Sequence, residues 1–445
     1  MMAELLYYAS PKLIQEALIY IKSASMKYRY SLPSSDSIIQ IPNSLAAEKE
    51  SATTYESEFN NYLLEACKNV PYYRSIINGQ GLNYRDISFD NYKEYLPILT
   101  KEDIRRNPAS FLNQSKLRKP ISIRTSGTTG TPLTIVTNGA CRTHNYRFFN
   151  ALLLMLGTHP FDRSVTIGGK VLHRNQNTTD IGRLDRYSNN LYLSNYHLSF
   201  TNALRYIETI ESYDPVFIEA YPHAITTLAK RLKFEGRKYK ALSLRGIITS
   251  SENIPSDDRA QVEKEFCCPL VNQYGNAEMS IFGYSLGDRM SYPGRYSQSE
   301  FIKNDNEVYE IVSTSIVNYV MPLIRYKTGD TVSKVYKNSI FGAETSLVEG
   351  RTEDFLLLPD GRKITQFNPV SNINNVIQAQ IIQESPYAIN ILLLPTEHFT
   401  NKDKLLLIEN CNLKLGDDVV VKITETDQFK LSKSGKFTFI IREFS

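Results

Sequence analysis

Residues 215–234 read PVFIEAYPHAITTLAKRLKF, and residues 246–278 read GIITSSENIPSDDRAQVEKEFCCPLVNQYGNAE. Both segments alternate short apolar runs with charged stretches that have helical spacing. The runs predict strands at Pro215–Ile218, Gly246–Ile248 and Leu270–Asn272. The stretches between them predict helices at Ala224–Phe234 and Pro255–Phe266. Strands that alternate with helices at this spacing predict a parallel sheet with crossover helices, and therefore an α/β fold.

Polar and aromatic residues follow each of these predicted strands. They are Glu219–His223, Thr249–Glu252 and Gln273–Glu278. Ligands of open α/β sheets bind at the carboxyl ends of the strands, so three such segments predict a pocket at one sheet edge. Each segment taken by itself also fits an ordinary polar turn.

The sequence on either side of this core predicts two further regions and a leader. The first sixty residues look helical and rich in tyrosine, and an alternating pattern from Glu307 predicts antiparallel strands around Tyr319–Asp330. Beyond them, strand-like runs and one helical segment predict a small α+β domain; these are Ile389–Leu394, Val419–Ile423, Phe437–Ile441 and the helix Lys402–Glu409. We expect a large N-terminal domain at 1–350, with a helical leader over about 1–70, and a mobile C-terminal domain at 351–445.

Composition excludes several classes of protein. The 445 residues include 51 Lys and Arg against 47 Asp and Glu, and a net charge of +4 does not predict nucleic-acid binding. No apolar run approaches the roughly 18 residues of a membrane span, and no signal peptide is visible. The five cysteines form no CxxC pair or zinc spacing. These features predict a cytoplasmic protein without a membrane span or a cysteine-based metal site.

One loop carries an unusual density of hydroxyl donors. Residues 125–132 read TSGTTGTP and lie between apolar strand candidates at Ile121–Ile123 and Leu133–Val136. Glycines let a backbone turn tightly, and the N–H groups of such a turn can hold an anion. The loop is not a Walker loop, because GxxxxGK[ST] is absent, and Arg124 stands where a nucleophile elbow needs glycine. By itself it also fits a solvated hairpin turn.

This loop resembles the phosphate loop of the adenylate-forming enzymes, which include acyl-CoA synthetases and peptide-synthetase adenylation domains. Further segments resemble the family's other motifs in the same order; they are Val70–Arg74, Leu96–Asp103, Thr249–Glu252, Tyr274–Glu278, Met321–Asp330, Gly350–Asp354 and Ser434–Lys436. The branch that looks most similar is that of the phenylacetate–CoA ligases and CapK-type proteins. After the hinge, residues Leu357–Arg362 resemble CapK-type sequences more than those of phenylacetate–CoA ligases.

The resemblance implies an acid ligase of the phenylacetate–CoA ligase type. A carboxylate attacks the α-phosphate of ATP to give an acyl-adenylate and pyrophosphate, and a thiol such as coenzyme A then displaces AMP. Mg²⁺ is the implied metal, held by Glu278. Lys436, Glu278 and Arg351 are the implied catalytic residues, and Glu353 occupies the hinge position.

The resemblance also assigns binding roles. The nucleotide-binding residues would be Ser126, Gly127, Thr128, Thr129, Gly130, Thr131, Ser251, Glu252, Asn272, Tyr274, Gly275, Asp330 and Arg351. Tyr274 would stack on adenine, Asp330 would accept from the ribose hydroxyls, and Arg351 would donate near ribose and phosphate. The candidates for the acyl pocket are Tyr221, His223 and Ser250.

Two positions depart from the family's pattern and leave alternatives open. Relatives often carry a cation where this chain has Leu133, and many have Ser or Thr where it has Ala277. These departures would suit a nucleotide-binding homologue with weak turnover. The acyl group or AMP could also pass to an acceptor other than coenzyme A, such as a carrier protein or an amine, in a surface-polysaccharide or secondary-metabolite pathway. A dimer is a plausible assembly.

Overall fold

The structure is a computed structural model. It describes residues 7–32, 45–124, 133–172, 180–304, 307–351, 355–364, 367, 369–370, 373, 375–416, 418–432 and 435–444. The α-helices in these ranges are α1 (Lys12–Ser25), α2 (Leu45–Asn69), α3 (Pro71–Gly79), α4 (Tyr92–Tyr95), α5 (Lys101–Arg106), α6 (Gly139–Met155), α7 (Ala203–Tyr213), α8 (Pro222–Phe234), α9 (Ser256–Phe266) and α10 (Asn401–Leu415). None of these helices is long and apolar enough to cross a membrane.

The strands of the first half are β1 (Ile121–Arg124), β2 (Thr134–Thr137), β3 (Ser164–Gly168), β4 (Gly182–Asp185), β5 (Asn190–Ser194), β6 (Phe217–Ala220), β7 (Gly246–Ser250), β8 (Leu270–Gly275), β9 (Phe282–Ser285), β10 (Arg289–Pro293) and β11 (Ser297–Lys303). Those of the second half are β12 (Tyr309–Ser315), β13 (Tyr326–Val332), β14 (Val335–Ser339), β15 (Gly342–Ser346), β16 (Gly350–Arg351), β17 (Leu356–Leu357), β18 (Lys363–Ile364), β19 (Val376–Ser385), β20 (Ala388–Pro395), β21 (Val420–Glu425) and β22 (Ile440–Arg442).

A ten-stranded sheet organises the chain, in the order β14-β15-β10-β9-β8-β7-β6-β3-β5-β4. Its centre, from β8 to β5, is parallel, and the strands outside that centre pair antiparallel. The predicted parallel sheet with crossover helices is therefore confirmed, and so is the α/β class. The predicted strands each extend two or three residues further toward their carboxyl ends, to Ala220, Ser250 and Gly275.

The two faces of the parallel sheet are covered differently. Apolar residues of one face, such as Val165, Ile218 and Ile247, form a buried cluster with α7, α8 and α9. On the other face, Ile248 and Val271 pack against Phe148 and Leu152 of α6. The leader helix α1 covers the β4–β5 end of this second face, where Ile19 packs on Tyr192.

A second sheet, β11-β12-β13-β16, is antiparallel and supplies the β-rich region that the alternating pattern predicted. The prediction of strands around Tyr319–Asp330 was partly wrong, because β13 begins only at Tyr326. Pro322 cannot donate to a strand ladder. Its carbonyl accepts instead from the Tyr73 hydroxyl at 3.0 Å, and that hydroxyl accepts from the Ile324 N–H at 2.9 Å.

The C-terminal region has its own sheet, β21-β20-β19-β22, and its own core with α10. Two of the three predicted strands are present as β20 and β21, and α10 is longer than expected at both ends. The third, predicted at Phe437–Ile441, is shorter, because β22 begins only at Ile440. Strand β19 was not predicted. The domain boundary at 350/351 stays a prediction; β16, which spans it, pairs with β13 of the preceding sheet.

Candidate active site

The carboxyl edge of the parallel sheet gathers the polar segments that follow β6, β7 and β8. Strands β7 and β8 lie side by side, and the Thr249 hydroxyl donates to Asn272 Oδ1 across them at 3.0 Å. Ser251 adopts a left-handed conformation with φ +76°, which turns the chain sharply after β7. Helix α8 begins at Pro222, directly after β6. The edge therefore offers one shared surface on which a ligand could lie.

The Glu252 side chain is buried at this edge, where it contacts His223 of α8 and Phe437 of the C-terminal region. Its carboxylate accepts from the His223 backbone N–H at 3.1 Å and lies 2.9 Å from the His223 ring Nδ1. It also accepts from the backbone N–H of Phe437 at 2.6 Å. This hydrogen bond connects the sheet edge directly to the C-terminal region. Glu252 was predicted to bind nucleotide, and its contact with Phe437 was not predicted.

The Phe437 contact belongs to a tight turn that carries Lys436. Ser432 and Lys436 exchange backbone and side-chain hydrogen bonds, and Gly435 adopts φ +75° within the turn. The Gly435 carbonyl accepts from Asn195 Nδ2 at 2.5 Å. A side chain at Gly435 would place its Cβ 3.0 Å from Tyr196 Cζ, so only glycine fits both the conformation and the space. The structure thus brings the predicted catalytic lysine's backbone to the sheet edge.

Glu278, the predicted metal ligand, is almost fully buried beside β13. Its Oε1 accepts from the Tyr326 hydroxyl at 2.9 Å and lies 4.0 Å from the Lys101 ammonium. Lys101 is held there because α5 begins at it, with a Thr100–Asp103 capping box. Lys101 was not predicted as a site residue. The residues of the capping box can be recognised in the sequence, but nothing in the sequence indicates that this helix begins beside Glu278.

The surroundings of Glu278 fit one hydrated metal ion that is shared with a ligand. Among the described residues no group of three or more His, Cys, Asp or Glu could enclose a metal. Mg²⁺ commonly takes one or two carboxylates and completes its shell with phosphate oxygens and water. The single Glu278 carboxylate, whose contacts with Tyr326 and Lys101 are made through Oε1, suits that arrangement.

Tyr274 and Asp330 form the third polar unit. The Tyr274 hydroxyl donates to Asp330 Oδ2 at 2.6 Å. Burial and the facing carboxylate raise the pKa of Tyr274 well above its usual range. Asp330 lies directly across from the Arg351 backbone, because β13 pairs with β16 at this register. The two residues predicted to bind ribose are therefore neighbours, and Tyr274 holds the orientation of the Asp330 carboxylate.

Several predicted residues fall outside the described ranges. The loop residues Ser126, Gly127, Thr128, Thr129, Gly130 and Thr131 and the hinge Glu353 are among them. Strands β1 and β2, which flank the loop, pair antiparallel with Arg124 opposite Thr134. Leu133 is buried in an apolar cluster with Leu99, Phe111 and Tyr326. A cation could not occupy that position without losing its hydration.

The remaining pocket candidates lie where β3 and β6 end. The Tyr221 side chain bonds to the Gly169 backbone, and burial raises the pKa of its phenol to about 12. The Tyr221 and His223 rings are 6.1 Å apart, and the His223 ring lies 5.7 Å from that of Phe437. Ser250 ends β7 and is half-buried.

Comparisons with known proteins agree with this architecture. A family model described as the CapK C-terminal domain matches residues 356–443. Protein CapK of Staphylococcus aureus is 25% identical over 393 residues, which cover 86% of this chain and 86% of that protein.

Solved structures extend the likeness to the whole fold. 2-Hydroxyisobutyryl-CoA ligase in the postadenylation state, in complex with R3-HIB-AMP, gives a TM-score of 0.63 at 14% identity, covering 94% of this chain and 92% of that one. The same ligase in the thioesterification state with 2-HIB-AMP and CoA gives 0.51 at 16% identity, with the same coverage. The predicted resemblance is confirmed: the chain carries a CapK-like C-terminal domain, is a homologue of protein CapK, and has the fold of adenylate-forming CoA ligases.

Proposed function

We propose that the chain activates a carboxylic acid as an acyl-adenylate, using ATP and Mg²⁺, and passes the acyl group to a thiol such as coenzyme A. The observation that carries the proposal is the seating of the Lys436 turn on the sheet edge. Glu252 and Asn195 hold that turn through Phe437 and Gly435. A solvated basic tail would not be expected to make these two hydrogen bonds with the preceding part of the chain.

In the first half-reaction the substrate's carboxylate oxygen bonds to the α-phosphorus, and the bond to the pyrophosphate leaving group breaks. Both reactants are anions, so catalysis needs positioning and positive charge. Lys436 would supply charge where the carboxylate meets the α-phosphate. Glu278 would hold Mg²⁺, which supplies positive charge to the phosphates when bound. Residues 126–131 would hold the β- and γ-phosphates.

The nucleotide's other end would lie at the Tyr274–Asp330 pair. Asp330 Oδ2 accepts from the Tyr274 hydroxyl, and the carboxylate held in this way would accept from the ribose hydroxyls. The Tyr274 ring would stack on adenine, and Arg351 would donate near the ribose. In the second half-reaction a thiolate attacks the acyl carbon, the carbon–oxygen bond to AMP breaks, and AMP leaves.

ATP–pyrophosphate exchange with a panel of carboxylic acids tests the proposal. We expect Mg²⁺-dependent exchange with at least one acid, and a sharp loss in Glu278→Gln, which keeps shape but removes the anionic ligand. Glu307→Gln is the matched control, because Glu307 is an exposed glutamate whose ion pair with Lys303 lies on the surface.

The outcomes separate the alternatives. Nucleotide binding without exchange for any acid would favour the nucleotide-binding homologue with weak turnover. Exchange by Glu278→Gln that equals wild type at limiting Mg²⁺ would exclude Glu278 as the metal ligand. Supplying coenzyme A, a carrier protein or an amine after adenylation then identifies the acceptor.

A further inference from the structure

Three charged residues that the mechanism does not use face one another beside the proposed active site. Tyr192, Thr166 and Glu219 lie in one row across β5, β3 and β6, on the sheet face that α6 and α1 cover. Neighbouring strands are about 4.8 Å apart, so this row spans about 10 Å. The Lys170 ammonium lies 3.3 Å from the centroid of the Tyr192 ring.

Arg29 reaches the same place from the leader. It lies in a short 3₁₀ helix, Lys27–Tyr30, whose backbone is tied to α6 because Asn150 Nδ2 donates to the carbonyls of Arg29 and Ser31. The guanidinium lies 5.6 Å from the ring centroid of Tyr146, which is also on α6. The leader therefore completes one wall of this cluster.

The three charges interact, yet they do not neutralise one another by contact. Burial raises the pKa of Glu219, although Arg29 and Lys170 both act to lower it. Desolvation of its ammonium and the nearby Arg29 guanidinium lower the pKa of Lys170 to about 7. Among the described residues, none of the three charged groups makes a hydrogen bond or an ion pair. Arg29 and Glu219 are partly buried, and partial burial of a charge that lacks an ion-pair partner is costly. A ligand of complementary charge placed among the three groups would offset that cost.

This cluster adjoins the seat of the Lys436 turn. Lys170 follows Gly169, whose carbonyl accepts from the Tyr196 hydroxyl at 3.4 Å. Tyr196 in turn packs against Gly435. An acid that lies along this edge would present its reacting carboxylate to Lys436 and its far end to the cluster.

We propose that the acid substrate carries at its far end a second anionic group and a hydroxyl or amino donor, which the Arg29–Lys170–Glu219 cluster recognises. The inference rests on the proposed adenylation and names its substrate class. Arg29 and Lys170 bind the second anion, and the Glu219 carboxylate accepts from the donor. Phenylacetate, which ends in an apolar ring, does not match this chemistry.

The test compares exchange kinetics for malate, glutarate and 3-hydroxyglutarate with those for butyrate and phenylacetate. The wild-type enzyme is expected to prefer the dianions by at least about tenfold in kcat/KM, as a charge-assisted hydrogen bond allows. Arg29→Met should raise KM for the dianions by about 10- to 100-fold, with little change in kcat. Glu219→Gln should reduce the difference in kcat/KM between 3-hydroxyglutarate and glutarate. Arg163→Met, an exposed arginine at the opposite end of β3, is the control.

Failure of this inference is distinguishable from failure of the proposed function. Exchange that is best with butyrate or phenylacetate, and unchanged in Arg29→Met, would overturn the substrate class and leave adenylation intact. Absence of exchange with every acid would overturn the proposed function. Calorimetric binding of the same acids then tests the cluster directly, and equal affinity for dianions and monoanions would refute it.

Discussion

Glu252 offers the sharpest test of the contact between the C-terminal domain and the sheet edge. Its carboxylate contacts the His223 backbone N–H, the His223 ring Nδ1 and the Phe437 backbone N–H, and only the last of these comes from the C-terminal domain. In Glu252→Gln the side chain keeps its shape and loses its charge. A hydrogen bond to a charged group contributes about 1.5–3 kcal/mol, so the docked orientation should become about 10- to 100-fold less favourable.

The consequence should be confined to one half-reaction. If docking delivers Lys436, Glu252→Gln slows acyl-adenylate formation by about that factor, measured in a single turnover with ATP and a competent acid. Transfer from a supplied acyl-adenylate should change little. Asn195→Ala removes the neighbouring contact to Gly435 and should act in the same direction. Glu235→Gln, near the other end of α8 from His223, is the matched control.

The result that refutes this reasoning is equally specific. If Glu252 binds the nucleotide, as the family resemblance implies, the substitution should weaken AMP binding and slow both half-reactions together. Calorimetric titration with AMP separates the two roles, because a docking residue leaves the dissociation constant for AMP unchanged. Normal adenylation in both Glu252→Gln and Asn195→Ala would show that these contacts do not matter for catalysis.

Two further predictions follow from the cations near the site. Lys436→Ala should slow adenylate formation about 10²–10³-fold, as loss of one positioned donor does, whereas Lys433→Ala should be near neutral; equal damage from both would indicate general electrostatics. Lys101→Met leaves the buried Glu278 carboxylate without its neighbouring cation and should lower Tm by about 1–3 °C without nucleotide. Mg²⁺ with ATP should reduce the difference in Tm between the wild type and Lys101→Met, and Lys116→Met serves as the control. If Mg²⁺–ATP leaves this difference in Tm unchanged, the metal does not replace the charge of Lys101.

The parallel sheet could be predicted because its signals are local. Each strand from Phe217 to Gly275 is a short apolar run beside an amphipathic helix, and burial on both faces favours such runs. Strand β19 was hidden for a physical reason. Its Gln380 and Gln383 are fully buried, and their amides bond to the backbone of Lys430, Thr438 and Leu357. Buried glutamines interrupt the apolar pattern from which strands are predicted.

In the candidate site, too, features with local sequence signals could be predicted and contacts between distant residues could not. The neighbourhood of Tyr274 and Glu278 was predictable, since both follow one strand toward a sheet edge. The Glu252–Phe437 and Tyr326–Glu278 contacts join residues far apart in sequence, and no spacing rule pairs them. Arg29 and Lys170 could not be predicted as site residues for a different reason. Each is an isolated basic residue, Arg29 in the tyrosine-rich leader and Lys170 after β3, and neither belongs to a recognisable motif.

The structure gives a physical reason for the apolar residue at position 133, one of the two departures from the family's pattern. Leu133 packs with Tyr326, and the Tyr326 hydroxyl orients Glu278. An apolar residue at position 133 therefore supports the wall that holds the predicted metal ligand. A cation is nevertheless present near the site, because the Lys101 ammonium stands 4.0 Å from Glu278. Lys101 on α5 thus places a positive charge beside Glu278, and the effect of removing it should be compared with the absence of a cation at position 133.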